Sequence, residues 1–403
     1  MGSYSSGDNP SAYAYNFRPK RYYPHGSPSH AKNPLMVFSE LSYQSEVRDS
    51  LDKILAQECT PDNLKKFDED FKHDEQLISL LTKKGYLGLG VNEQYGGSGE
   101  NLYDLGILFE RLGYHAAPIS MIGCLVDVAQ TIQKFGDSKT HQSIIGDIVG
   151  GEIHTSAILE PLNQDPENPL SRAEIEGDKL IITGTKYLSE LASKSKSILV
   201  SVNSVEGVLL VLVDSSKVTI SALLTTANSP VFKVDLDSVS LDRSAIIHAD
   251  GRGLEALRYL LQINMVMRSY LALGITEKMT SLIAGYTSER EQFGRVIGSF
   301  QAVSHRAADC FIDLECLRLV NQQAAINLNT NLDCENDALI SKIWAGNACH
   351  KISYSAQHLH GGMGVDKDYV LWRYCLLAKE CELINGSASQ NIDRLGLNIT
   401  SNQ

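Results

Sequence analysis

Long apolar runs are missing from this 403-residue chain. The most hydrophobic stretch, 207–213, falls far short of the about 20 residues a membrane-spanning helix needs, and the start of the chain lacks the apolar core of a secretory signal. Basic excess is missing too. Lys and Arg number 36 against 48 Asp and Glu, a net charge of −12, so a phosphate backbone would go unneutralised and nucleic acid is excluded as a partner. An anionic ligand has to find a local basic patch. The eight cysteines include no CxxC pair, and Cys349 and His350, as adjacent helical positions, point different ways; the cysteines read as reduced core residues, and no metal site is expected. These absences leave a soluble, cytoplasmic globular protein with ordinary proportions of hydrophobic (43%) and charged (21%) residues.

What is present falls into four stretches. Residues 1–35 are rich in Tyr, Ser, Pro, Asn and Gly without a period of 2 or 3.6 and read as a flexible arm. Over 36–150 the apolar spacing is helical, as in Leu51, Ile54, Leu55 and again Leu77, Leu80, Leu81, interrupted by the breaker string Tyr95-Gly96-Gly97-Ser98-Gly99. Over 151–250 the texture changes to short β-rich runs at 180–183, 198–202, 208–213, 218–220 and 231–234. No helix-length crossover separates them, which predicts a small antiparallel β-domain. From 251 to 403 the helical period returns, with breaks near 329–336 and at His360-Gly361-Gly362-Met363-Gly364, as in a four-helix-bundle-like domain. The expected fold is mainly α with a central β-domain.

Several strings in this order resemble the acyl-CoA dehydrogenase family over about 40–398. Tyr95-Gly96-Gly97-Ser98-Gly99 is similar to the family's YGG loop between two N-terminal helices. Ser288-Glu289-Arg290-Glu291-Gln292-Phe293-Gly294-Arg295, followed by Gln301, resembles its ERxxFG element and downstream glutamine. The resemblance implies that Arg290, Phe293 and Gln301 reach the pyrophosphate and adenine end of FAD held mainly by a neighbouring subunit, and a guanidinium suits a diphosphate through paired charge-assisted hydrogen bonds. His358-Leu359-His360-Gly361-Gly362-Met363-Gly364 is similar to the family's QxxGGxG loop, with His358 at the glutamine and Gln357 one residue early. It implies cofactor contacts at His358, Gly361 and Gly362, where the lack of a Cβ allows close approach.

The β-domain departs further. Ala157-Ile158-Leu159-Glu160-Pro161 resembles a flavin-bonding segment, but Leu159 stands at its threonine or serine. Gly184-Thr185-Lys186-Tyr187-Leu188-Ser189-Glu190 resembles the strand covering the flavin, with Leu188 for Trp or Phe and Glu190 for Thr or Ser; a carboxylate beside a ring that becomes anionic on reduction opposes reduction. The closing string, from Glu382 to Ser389, resembles the loop in which a glutamate, the base that takes the substrate's α-proton, precedes Gly-Thr. Here Asn385 occupies that position and Ser387 the cofactor-binding threonine. The alternative base position, on the helix opening the C-terminal domain, aligns with Asn264. An amide cannot accept the proton, so the catalytic residue is left unknown, with Glu382 and Glu190 as weak substitutes.

The resemblance implies a flavoprotein that oxidises an acyl thioester, on CoA or a carrier protein, between Cα and Cβ, with hydride transfer to FAD. It implies a homotetramer, or a heterotetramer with a homologous subunit, and an electron acceptor such as an electron-transfer flavoprotein or oxygen. Two other functions stay open: a non-catalytic subunit of a heteromeric acyl-CoA dehydrogenase, and a flavin monooxygenase or cyclase on the same fold.

Overall fold

The computed structural model describes residues 40–401 apart from 71, 137, 250 and 331–333; the arm expected over 1–35 lies outside the described residues. Helices α1 (Ser42–Glu58), α2 (Pro61–Asp70), α3 (Glu75–Lys83) and α4 (Leu102–Tyr114) come first. A π-helical turn (Ile122–Val128) runs directly into α5 (Ala129–Phe135), and α6 (Lys139–Val149) closes the N-terminal part. The Tyr95–Gly99 string links α3 to α4, as expected, and Gly97 cannot be replaced cheaply: a Cβ there would lie 2.0 Å from the Val91 carbonyl oxygen.

Seven strands form one sheet: β1 (His154–Ala157), β2 (Arg172–Glu176), β3 (Lys179–Glu190), β4 (Ser197–Ser204), β5 (Gly207–Asp214), β6 (Thr219–Leu223) and β7 (Val231–Asp242). Most pairings are antiparallel, but β4 runs parallel to β1 and touches β2 in parallel at Arg172 and Asn203. The antiparallel type expected from sequence holds for the other pairings, and β4 is the departure from it. The crossover between β1 and β4 is made by the β2–β3 hairpin rather than by a helix, so its signal in sequence is that of two more strands. Inside the sheet Lys186 and Glu160, both buried, pair at 2.7 Å with Ser201 Oγ as a third partner.

The helical part resumes with the 37-residue α7 (Gly253–Glu289), followed by a short hairpin of β8 (Glu291–Gln292) and β9 (Arg295–Val296), then α8 (Gln301–Asn329), α9 (Glu335–His360), α10 (Leu371–Leu383) and α11 (Ala388–Ser401). One apolar core spans the N- and C-terminal helices and a second fills the sheet. α7 is the axle of the helical core and packs on α4, α8, α9 and α10. It meets α4 backbone to backbone, because a Cβ on Gly274 would sit 1.8 Å from the Glu110 carbonyl oxygen and one on Gly113 would sit 2.2 Å from that of Leu271. Beside this crossing the buried Glu110 carboxylate takes Arg48 at 2.8 Å and Arg318 at 2.9 Å, tying α1, α4 and α8 together. Their guanidinia outweigh the burial and hold its pKa well below the usual range. No helix among the described residues is long and apolar enough to cross a membrane.

Candidate active site

The π turn, the end of β3, the middle of α7 and the loop before α11 converge on one small cavity of about 30 Å³, lined by Asp127, Leu159, Leu188, Glu190, Asn264 and Asn385 among others. Each element delivers its residue for a local reason. The wide π turn presents Gly123 and Asp127 to the sheet, and Gly123 has to be glycine because a Cβ would lie 2.5 Å from Thr155 Oγ1. β3 bulges between Lys186 and Ser189, with Leu188 at φ +57°, and the bulge turns Glu190 inward. The loop after α10 takes a left-handed residue at Asn385, φ +60°, a conformation asparagine tolerates better than most side chains. Buried Lys342 supports it by donating to the carbonyls of Cys381 and Glu382 at 3.1 and 3.0 Å.

A continuous polar chain fills the cavity. Asn385 Nδ2 donates to Asn264 Oδ1 at 2.7 Å, and Asn264 Nδ2 donates to Asp127 Oδ1 at 2.7 Å. The other Asp127 oxygen accepts from Ser156 Oγ at 2.5 Å. Arg268, one turn beyond Asn264 on α7, donates from Nε to Asn264 Oδ1 at 3.0 Å and from Nη2 to Glu190 Oε1 at 2.7 Å. The backbone N–H of Gly123 reaches the second Glu190 oxygen at 3.2 Å. Burial pushes the Asp127 carboxyl up to about 6, against the opposing pull of Ser156, Asn264 and Arg268. Burial would likewise raise Glu190, but the Arg268 guanidinium and the donors around it hold it below its ordinary value. Glu190 is therefore an anion locked to a cation inside the protein. It is neither a surface charge nor a free base, and Glu382, paired with Lys379 and His350 outside this cavity, is not a base here either.

Asp127, Arg268 and Ser156 were not legible as site residues. The available signal was one acid inside the apolar string Gly123-Cys124-Leu125-Val126-Asp127-Val128-Ala129, and one arginine in the equally apolar middle of α7. Charges at such positions are rare unless paired.

The other predicted cofactor residues lie elsewhere. Arg290, Phe293 and Gln301 are exposed at the α7–α8 hairpin, where Phe293 is 91% exposed. His358, Gly361 and Gly362 are exposed at the end of α9. The two groups meet at one end of the bundle: Tyr286 of α7 stacks on His360 of α9 with ring centroids 4.4 Å apart, and Arg306 of α8 contacts His358 Nδ1 at 2.7 Å. Gly361, at φ +58° and ψ −134°, sits where only glycine is comfortable. Ser387 stays beside Asn385, with its Oγ 3.0 Å from that of Ser389. Asn264 lies in the middle of α7 and Arg290 just past its end, roughly 40 Å away at 1.5 Å per residue.

Models of the acyl-CoA dehydrogenase N-terminal and C-terminal domains match residues 42–152 and 251–396. A variant of the Tcur3481–Tcur3483 steroid ACAD is 30% identical, covering 89% of this chain and 98% of its own, with a TM-score of 0.84. The chain belongs to the acyl-CoA dehydrogenase family. The Mycobacterium tuberculosis ChsE4–ChsE5 complex is similar at 28% identity and TM-score 0.85, covering 91% of this chain and 99% of its own. The acyl-CoA dehydrogenase FadE27 of Mycobacterium tuberculosis is 28% identical over 373 residues, 90% of this chain and 98% of the relative. The fold, the flavoprotein family and the acyl-thioester reaction class expected from sequence thus stand. Against that frame the residues fit FAD unevenly. Exposed Arg290 and Phe293 suit a diphosphate and an aromatic base. A cavity of about 30 Å³ filled by an ion pair has room for a water or two, not for an acyl chain, whose pockets run to hundreds of Å³.

Proposed function

We propose that this chain is the base-free subunit of a heteromeric acyl-CoA dehydrogenase-type enzyme. FAD-dependent α,β-oxidation of an acyl thioester, on CoA or a carrier protein, takes place at a homologous partner's site. The observation that carries this is the amide pair: both candidate base positions are asparagines bonded to each other, and the buried Arg268–Glu190 pair occupies the space beside them. The exposed strings are this chain's contribution. Arg290, Phe293 and Gln301, with His358, Gly361 and Gly362, would hold the pyrophosphate and adenine end of FAD seated in the partner, and the length of α7 supports that division. Bound FAD supplies hydride acceptance; this chain's residues bind and orient. A heterotetramer suits the reading, with electrons leaving through the partner to an electron-transfer flavoprotein or oxygen. All eight cysteines are free, which fits a reducing compartment such as the cytoplasm.

A second reading, in which the chain oxidises a thioester by itself, draws on Asp127. Its carboxyl, pushed up to about 6, is poised as general bases are, but both its oxygens are already engaged. The deciding experiment is the absorbance spectrum of the chain purified alone and with a co-expressed homologue, followed by anaerobic addition of acyl thioesters. Flavin colour and bleaching only with the partner are expected. A yellow lone chain that bleaches overturns the proposal in favour of the second reading.

A further inference from the structure

His358 stands at the position of the family's glutamine, and a residue of another helix holds it there. Arg306, in the second turn of α8, extends Nη1 to the last turn of α9 and meets His358 Nδ1 at 2.7 Å. A guanidinium has only donors and no acceptor, so Nδ1 must be the accepting nitrogen. The imidazole is then neutral, with its proton on Nε2. The hydrogen bond made by one ring nitrogen settles what the other can do.

Two further contacts support the arrangement. Tyr354, one turn earlier on α9, lies parallel to the imidazole, with an interplanar angle of 1° and centroids 6.3 Å apart. The Arg306 guanidinium lies 6.0 Å from the centre of the Tyr354 ring, at the edge of cation–π reach. Asp309 and Asp313 line the same groove as Arg306, but Asp313 pairs with Lys351 at 3.4 Å, and among the described residues no carboxylate is bonded to Arg306. His358 and Tyr354 are exposed, so filling a core does not account for the contact. Its effect is chemical: a ring able to donate or accept from either nitrogen becomes a one-way donor.

We propose that Arg306 is a positioning residue, which locks His358 so that its Nε2–H is offered to an acceptor atom at the pyrophosphate and adenine end of FAD. This rests on the proposal that the partner's FAD meets the exposed residues at this end of the bundle. A glutamine offers a donor and an acceptor side by side, whereas His358 with Nδ1 occupied offers the donor alone. It therefore suits a phosphate oxygen or an unprotonated adenine nitrogen. Arg306 acts through the ring and does not have to touch the cofactor.

Two measurements test this, one of them without flavin. In nuclear magnetic resonance spectra of the chain with isotope-labelled histidine nitrogens, the signals that vanish in His358→Gln belong to His358. Its Nδ1 should be proton-free and its Nε2 protonated, and Arg306→Met should move the Nδ1 resonance while the circular dichroism stays as it was. The second measurement is the FAD concentration that half-fills the flavin-stripped assembly of the chain with its partner. It should rise about tenfold in His358→Phe, the size of a hydrogen bond to a charged group, and several-fold in Arg306→Met. His358→Gln keeps an N–H donor that needs no second residue to orient its protons, so it should bind FAD more tightly than His358→Phe. Adding Arg306→Met to His358→Gln should then cost less than about twofold, because the residue through which Arg306 acts is gone. An equal cost of Arg306→Met in both backgrounds would make Arg306 a direct cofactor contact and overturn the proposal. So would a protonated Nδ1, an Nδ1 resonance indifferent to Arg306→Met, or full FAD affinity in His358→Phe. If Arg290→Ala and Phe293→Ala also left FAD affinity full, the placement of FAD at this end would fall with it; if they weakened it, only the role of Arg306 and His358 would fall.

Discussion

Asn385 Nδ2 donates a hydrogen bond to Asn264 Oδ1 at 2.7 Å, so the two positions from which a family carboxylate could act are in direct contact. The pair continues into Asp127, Arg268 and Glu190. Replacing one amide by an acid therefore does not create a base beside an open pocket. It inserts a charge into a filled network.

Asn385→Glu is accordingly expected to leave acyl-thioester oxidation unchanged when the variant is assayed with its partner. General-base assistance contributes about 10² to 10⁴-fold where it operates. Anaerobic flavin bleaching accelerated tenfold or more by the substitution, traced to this chain's own site, would mean that the centre takes substrate and the base-free reading fails.

The Arg268–Glu190 pair gives a stability test. Arg268→Met strands a buried carboxylate and should cost about 3 to 5 kcal/mol, whereas Arg268→Met with Glu190→Gln removes both charges and should recover most of that loss. Urea unfolding at fixed subunit concentration reads the difference. Equal losses in the single and double variants would show that the two groups do not depend on each other.

Asp127 gives a pH test. Its folded value of about 6 lies above the roughly 4 of an unfolded aspartate, so its favourable contribution is complete below about pH 4 and is lost as pH rises toward 6. Relative to the native chain, Asp127→Asn should therefore gain up to roughly 3 kcal/mol between pH 4 and pH 7, at 1.36 kcal/mol per unit. The pH-independent offset reports the hydrogen bonds to Ser156 and Asn264. A native-to-variant difference that stays flat across this range would mean the carboxyl ionises as an ordinary one.

At the exposed end, Arg290→Ala and Phe293→Ala should each lower the flavin content of the co-purified assembly several-fold while leaving the circular dichroism of the chain unchanged. Both side chains are exposed, so folding has little stake in them. Full flavin occupancy in the double variant would remove these residues from the cofactor's environment.

The helix, sheet, helix order was legible because apolar spacing changes from 3.6 to 2 and back, and the Gly97 turn and the Arg290 hairpin announced themselves by residue type. What stayed hidden depends on pairing in space. Glu190 reads in sequence as a carboxylate aimed at a cofactor, and only the bulge at Leu188 and the approach of Arg268 from a helix 78 residues later turn it into half of an ion pair. Asp127 was lost for a similar reason, since a single acid in an apolar helix carries no sign of what it meets. The parallel partnership of β1 and β4 was missed because a hairpin crossover has the same alternation as the strands it joins.

The π turn at Ile122–Val128 has an evolutionary reading. Such a turn is an α-helix carrying one surplus residue, so losing a single residue there would restore regular winding. It would also rotate whatever follows by about 100°. Asp127, near the end of the turn, would leave its place between Ser156 and Asn264. The length of that turn therefore decides whether Asp127 joins the network, while the Arg268–Glu190 pair and the Asn385–Asn264 bond, supplied by other elements, do not depend on it.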